Sequence, residues 1–251
     1  MKNLKNIYSI FQTVLALLFC LFAYFLVSST IKNIITTVQV KKFIASATFE
    51  RDFGEATKIY YVDLGLEEQS ATFSSSDIVL GLEGDFFVMP ETRIVDLNLV
   101  KGFIDYNFGG HAGMIVNRNG LPTLIEAMGG TLMENKVYAN YGEYYDLYRP
   151  ELRSVIGYRV NTSYENRQQA ATFAIDQVGK EYNYFFAAHR KDKYYCTDIV
   201  SRSYWKEAGL DIRLSSNIYD STQDISISKN VYIVFFKYID SSGVIHVYYA
   251  K

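Results

Sequence analysis

Cysteine, histidine and proline are scarce in this chain, at 2, 3 and 3 of its 251 residues. Two cysteines exclude a fold held together by a disulfide framework. Three scattered histidines, with no HExxH and no paired CxxC, form no ligand cluster, so no metal site is expected. A glycine-rich phosphate loop and a GxSxG elbow are also missing. That removes P-loop nucleotide chemistry and the α/β-hydrolase serine, and no cofactor is expected. Acidic residues are absent from the first 42 positions, which carry five lysines: Lys2, Lys5, Lys32, Lys41 and Lys42. The remainder holds 20 basic and 27 acidic residues, a net charge of -7. A surface that acidic argues against a nucleic-acid partner, whose phosphates need clustered Lys and Arg.

Apolar and aromatic residues are plentiful. The chain is 49% hydrophobic with 22 Tyr and 17 Phe, and its net charge is only -2, so it folds around a core and is not disordered. Its length suits one domain plus a short extra segment. The extra segment is at the front, where Ile7 to Val27 carries no charge and only Ser9, Gln12 and Thr13 as clearly polar residues. As a helix this run rises about 30 Å, the thickness of a bilayer core, and is expected to be a single membrane anchor. A cleaved signal peptide is the competing reading, but its apolar region is only ~7 to 15 residues long and ends at a small-residue cleavage site. Cys20 lies inside the run as a lipid-facing or packing residue. Lysines flank both ends, so charge alone does not orient the segment. The short N-terminal tail favours a cytoplasmic start and a globular part outside the membrane.

The expected organisation is an anchor over 1–30, a connector leading into the domain over 31–76, and a catalytic domain over 77–251. Strand-like segments cover 78–82, 85–89, 113–117, 123–128 and 155–160. Asn119-Gly120 marks a two-residue hairpin turn. Thr162 and Glu165 make a capping box ahead of one helix, with Gly179 as its stop. A second helix runs from about Cys196 to Ala208 and ends at Gly209. The nearly all-apolar strand 230–238 should be central and could pair with 244–250. Strands, then helices, then strands point to an α+β domain with a mostly antiparallel sheet packed against helices.

Few residues in it can do chemistry. Cys196 is the only cysteine outside the apolar run, and at a helix start unpaired backbone N–H groups favour the thiolate. Taken alone it reads more readily as a buried structural cysteine, since free Cys behaves as a small hydrophobe. His111 opens the strand before the Asn119-Gly120 turn, and Glu126 lies in the returning strand. A two-residue loop places Glu126 opposite Gly113, diagonal to His111 and on the same face. Gly109, Gly110 and Gly113 leave space around the imidazole. Such a pair can fix a histidine tautomer and support it while it takes a thiol proton, or can be a solvated cross-strand pair and nothing more. His189 reads as a solvated loop residue, and His246 as a surface or core position of the last strand.

The order of the pieces carries a resemblance. Glu83-Gly84-Asp85-Phe86-Phe87-Val88, Gly110-His111-Ala112-Gly113-Met114-Ile115-Val116, Ile125-Glu126-Ala127, Gly179-Lys180-Glu181-Tyr182-Asn183 and Tyr194-Tyr195-Cys196-Thr197-Asp198-Ile199-Val200 follow one another. This series resembles the YaeF/YiiX-like branch of the NlpC superfamily, circularly permuted papain-like cysteine amidases in which the histidine strand precedes the cysteine helix. The likeness covers roughly 78–209. It implies a permuted papain-like fold with Cys196 as nucleophile, His111 as general base and Glu126 as the residue that orients His111. The implied activity is hydrolysis of an amide or acyl bond in a cell-wall peptide, a lipid amide or a small peptide. A non-catalytic lipid- or peptide-binding protein, or an acyltransferase using the same residues, are the alternatives. The apolar insert between Met89 and Gly109 would border the cleft. The tyrosines at 138, 141, 144, 145 and 148, and the stretch from Asp211 to Ser228, match no family motif.

Overall fold

The computed structural model describes residues 2–74, 77–89, 110–118, 121–129, 135–141, 154–186, 190, 192–213 and 219–251. It opens with helix α1 (Lys2–Ala45), whose first half stands clear of the rest. From Ile7 to Phe22 every residue is exposed. Beyond that, Leu26, Ser29, Thr30, Asn33, Thr36, Gln39, Val40, Phe43 and Ile44 are covered at helical spacing, so one stripe of the second half faces the domain. This split follows composition, since the exposed half is apolar all round and has no polar face to turn to water. The helix is long and apolar enough to cross a membrane.

An eleven-stranded sheet forms the body of the protein. Its strands in chain order are β1 (Thr48–Phe53), β2 (Thr57–Val62), β5 (Phe86–Met89), β6 (His111–Arg118), β7 (Leu121–Met128), β8 (Lys136–Tyr141), β9 (Ser154–Val160), β10 (Glu181–Tyr182), β11 (Lys193–Tyr194), β12 (Val231–Ile239) and β13 (Ile245–Ala250). They lie in the order β1-β2-β13-β12-β9-β5-β6-β7-β8-β10-β11. Pairing is antiparallel except at β2–β13 and β10–β11. A separate two-stranded sheet joins β3 (Ala71–Phe73) to β4 (Ile78–Leu80). The expected 78–82 strand therefore belongs to this small sheet. Residues 48–62, read from sequence as part of a connector, add two strands that β13 ties to the main sheet.

The apolar segment 230–238 is β12, which runs inside the sheet between β13 and β9 as expected. Its Phe235 lies across Gly157 of β9, where an added Cβ would fall 2.0 Å from the ring. Glycine in mid-strand here makes room for an aromatic side chain.

Among the described residues, three helices pack with the sheet: α2 (Tyr164–Asp176), α3 (Cys196–Ala208) and the short α4 (Thr222–Ser226). The cap of α2 is Ser163, whose hydroxyl accepts from the Asn166 N–H, one residue later than the expected Thr162. Gly209 ends α3 in the left-handed region, at φ 61°. Buried Ala170, Ala171 and Ala174 let α2 approach α3, and α3 lies over β6 and β7. Ile199, Val200 and Tyr204 of α3 are fully buried. Each such apolar side chain contributes about 1.5–3 kcal/mol, which fixes the helix over the hairpin beneath it.

Candidate active site

The hairpin of β6 and β7 holds the register that a two-residue loop dictates. Arg118 faces Leu121 and Met114 faces Ile125. Asn119 and Gly120 themselves lie outside the described residues. Counting back, Glu126 is opposite Gly113 and diagonal to His111, on one face of the sheet. The imidazole Nε2 lies 2.7 Å from Glu126 Oε2. Glu126 is fully buried, while the His111 side chain keeps 13% exposure.

Gly113 is what lets the diagonal pair meet. A Cβ there would fall 2.8 Å from Glu126 Cγ and 2.6 Å from the Phe87 ring. Its space is thus filled by the carboxylate arm and by Phe87, and not left open beside the imidazole as the sequence suggested. Gly109 lies outside the described residues.

Cys196 is the first residue of α3 and is half-buried. Its thiol lies close enough to His111 to favour the charged imidazole. Burial disfavours charge on the imidazole, but the bonds to Cys196 and then to Glu126, with the charges of both, outweigh it and raise His111 from 6.5 to about 10. With Nε2 engaged by Glu126, the nitrogen left for the thiol is Nδ1. The residue before the helix, Tyr195, is extended at φ -110° and ψ 173° and gives α3 no side-chain cap.

The order of chain elements is histidine strand, carboxylate strand, cysteine helix. A family model described as permuted papain-like amidase enzyme, YaeF/YiiX, C92 family, matches residues 94–229. The chain belongs to this family. It is an enzyme of the amidase or peptidase type on an α+β permuted papain-like domain. The crystal structure of metalloprotein YiiX from Escherichia coli O157:H7 is 21% identical over 61% of this chain and 95% of that one, with a TM-score of 0.48. No curated protein matches.

In this permuted papain-like amidase the three expected site residues, His111, Glu126 and Cys196, are brought together. The other sequence candidates are not. His246 pairs with Asp240 at 3.0 Å and stacks on Tyr238 in the β12–β13 hairpin. His189, Tyr144, Tyr145, Tyr148 and the insert 90–109 lie outside the described residues. Tyr138 lies under the Lys136 ammonium. Among the described residues no group of three His, Cys, Asp or Glu side chains could hold a metal.

Sequence reasoning missed the aromatic wall beside the thiol. Tyr182 packs over Gly129, where a Cβ would meet its ring at 2.7 Å. Burial, followed by charge at Cys196 and Tyr184, pushes the Tyr182 phenol up. Phe186 meets the edges of Tyr182 and Tyr195. The Gly179–Asn183 motif pointed to this stretch without assigning it a side chain. Asp220, which contacts the start of α3, carried no sequence signal.

Proposed function

We propose that the protein is a membrane-anchored cysteine hydrolase that cleaves an amide or acyl bond with Cys196, His111 and Glu126. The observation that supports this reading is the His111–Glu126 pair at 2.7 Å, with the Cys196 thiol near enough to bias the imidazole's charge. The Cys196 sulfur attacks the carbonyl carbon, and the thiol proton is held on His111 as an imidazolium. His111 passes that proton to the departing amine as the C–N bond breaks, leaving an acyl-thioester. Water then adds to the thioester, His111 takes its proton, and the acid leaves as the thiol is restored. Glu126 keeps the ring oriented and supports its positive charge. Backbone N–H groups at the uncapped start of α3 would face the developing oxyanion.

The substrate classes this reading admits are a cell-wall peptide, a lipid amide or a small peptide. The apolar half of α1 supports an anchor over 1–30, with 31–76 joining it to the catalytic unit at 77–251 and the domain outside the cytoplasm. Iodoacetamide labelling tests the site. Wild-type Cys196 is expected to react at pH 6 well above the rate of an ordinary thiol, and Cys196→Ser to abolish turnover of amide substrates. Labelling at the ordinary rate, with activity surviving Cys196→Ser, would overturn the assignment.

A further inference from the structure

A helix normally gains its N-terminal order from a local side-chain cap. Helix α3 has none, because the residue at that position is Tyr195, whose hydroxyl goes elsewhere. It accepts the backbone N–H of Asp220 at 2.6 Å. On the other side of the nucleophile, Thr197 Oγ1 donates to the backbone C=O of the same residue. One turn further on, Ser201 Oγ donates to Asp220 Oδ2 at 2.7 Å. Tyr195, Thr197, Ser201 and Asp220 are all buried. The residues immediately before and after Cys196 are therefore pinned, through side-chain hydroxyls, to the backbone N–H and C=O of one residue 20-odd positions away.

We infer that Tyr195 and Thr197 are positioning residues, and that the Asp220 backbone is a tertiary clamp that replaces the missing cap and aims Cys196 at His111. This rests on the reading of Cys196 as the nucleophile. The clamp has a mechanical logic. A local cap fixes only the helix end against its own first turn, whereas a bond on each side of Cys196 fixes the rotation of the helix start against the segment that leads into α4. The segment holding Asp220 is itself secured. Ser221 and Asp224 form a reciprocal capping box on α4, and Asp224 pairs with Lys32 of α1 at 2.8 Å.

The test uses the full chain in detergent on a Cys20→Ser background, so that only Cys196 is alkylated by iodoacetamide. Thr197→Val and Tyr195→Phe each remove one hydroxyl and keep the shape. Each is expected to slow alkylation at pH 6 by about 10-fold or more, because a displaced thiol loses its imidazole partner. At pH 10, where any thiol is ionised, the rate should stay within about twofold of wild type. Thr197→Ser keeps the hydroxyl and should retain the pH 6 rate. A merely structural role would lower thermal stability without changing the ratio of the two rates. If both variants keep the wild-type ratio, the clamp is overturned. Should Thr197→Val fail to fold, Tyr195→Phe decides alone. If the wild-type chain itself shows no excess reactivity at pH 6, the nucleophile assignment fails, and the clamp's role falls with it.

Discussion

His111 answers to two partners, and its proton is the quantity to follow. Its folded value of about 10 stands above the ordinary 6.5, so protonation stabilises the native state. That contribution is fully present below about pH 6.5 and is lost as pH rises through about 10. Glu126→Gln removes the carboxylate and should bring the imidazole down. Two outcomes are expected. The alkaline limb of the pH–rate profile moves to lower pH, and the melting-temperature gap between wild type and variant narrows as pH climbs from 6.5 to 10. A gap that widened over that range would place the charge elsewhere. At this scale the sequence was informative, because turn type and strand alternation alone put Glu126 and His111 on one face. It was silent on Asp220, which binds Tyr195 and Thr197 through its own backbone groups in a segment with no periodic pattern.

Gly113 shows why an element can depend on one missing atom. The β6–β7 hairpin brings His111 and Glu126 together only because the carboxylate arm crosses the place a Cβ would occupy. Gly113→Ala is expected to destabilise the protein by about 1–3 kcal/mol through overpacking. It should also push Glu126 off the imidazole, so that activity falls further than stability alone explains. Denaturant unfolding beside initial rates separates the two effects. Helices α2 and α3 were legible from capping residues and glycines, but in α2 the cap moved one position, since Ser163 reaches the Asn166 N–H, and the helix stops at Asp176 with Gln177 as its C-cap, short of Gly179. Strands β1 and β2 were not legible. Charged residues such as Arg51, Asp52 and Lys58 hide their alternation, and the pairing of β2 with β13 joins positions nearly 200 residues apart.

The whole molecule is divided by α1, which is exposed from Ile7 to Phe22 and whose second half is part of the domain. The contact is apolar at its far end, where Phe43 joins the core with Val40 and Ile44 beside it, and polar nearer the anchor. Lys32 pairs with Asp224, and Asn33 Oδ1 accepts from Gln223. Removing residues 1–22 should leave a folded domain, whereas removing 1–45 takes away Phe43 and the Lys32–Asp224 pair and should lower the melting temperature by several degrees. Equal melting temperatures for the two truncations would show that α1 is not part of the domain's support. The unbroken course of α1 has a further consequence. Lys32 follows Val27 by five residues, roughly 8 Å along a helix axis. With the proposed anchor in a bilayer, α4 and the clamp on Cys196 would ride at a set height above the lipid, on a stiff post instead of a slack leash. The enzyme would then work a thin sheet of solution beside the membrane, and its supply of substrate would be reckoned per unit of membrane area, not per unit volume.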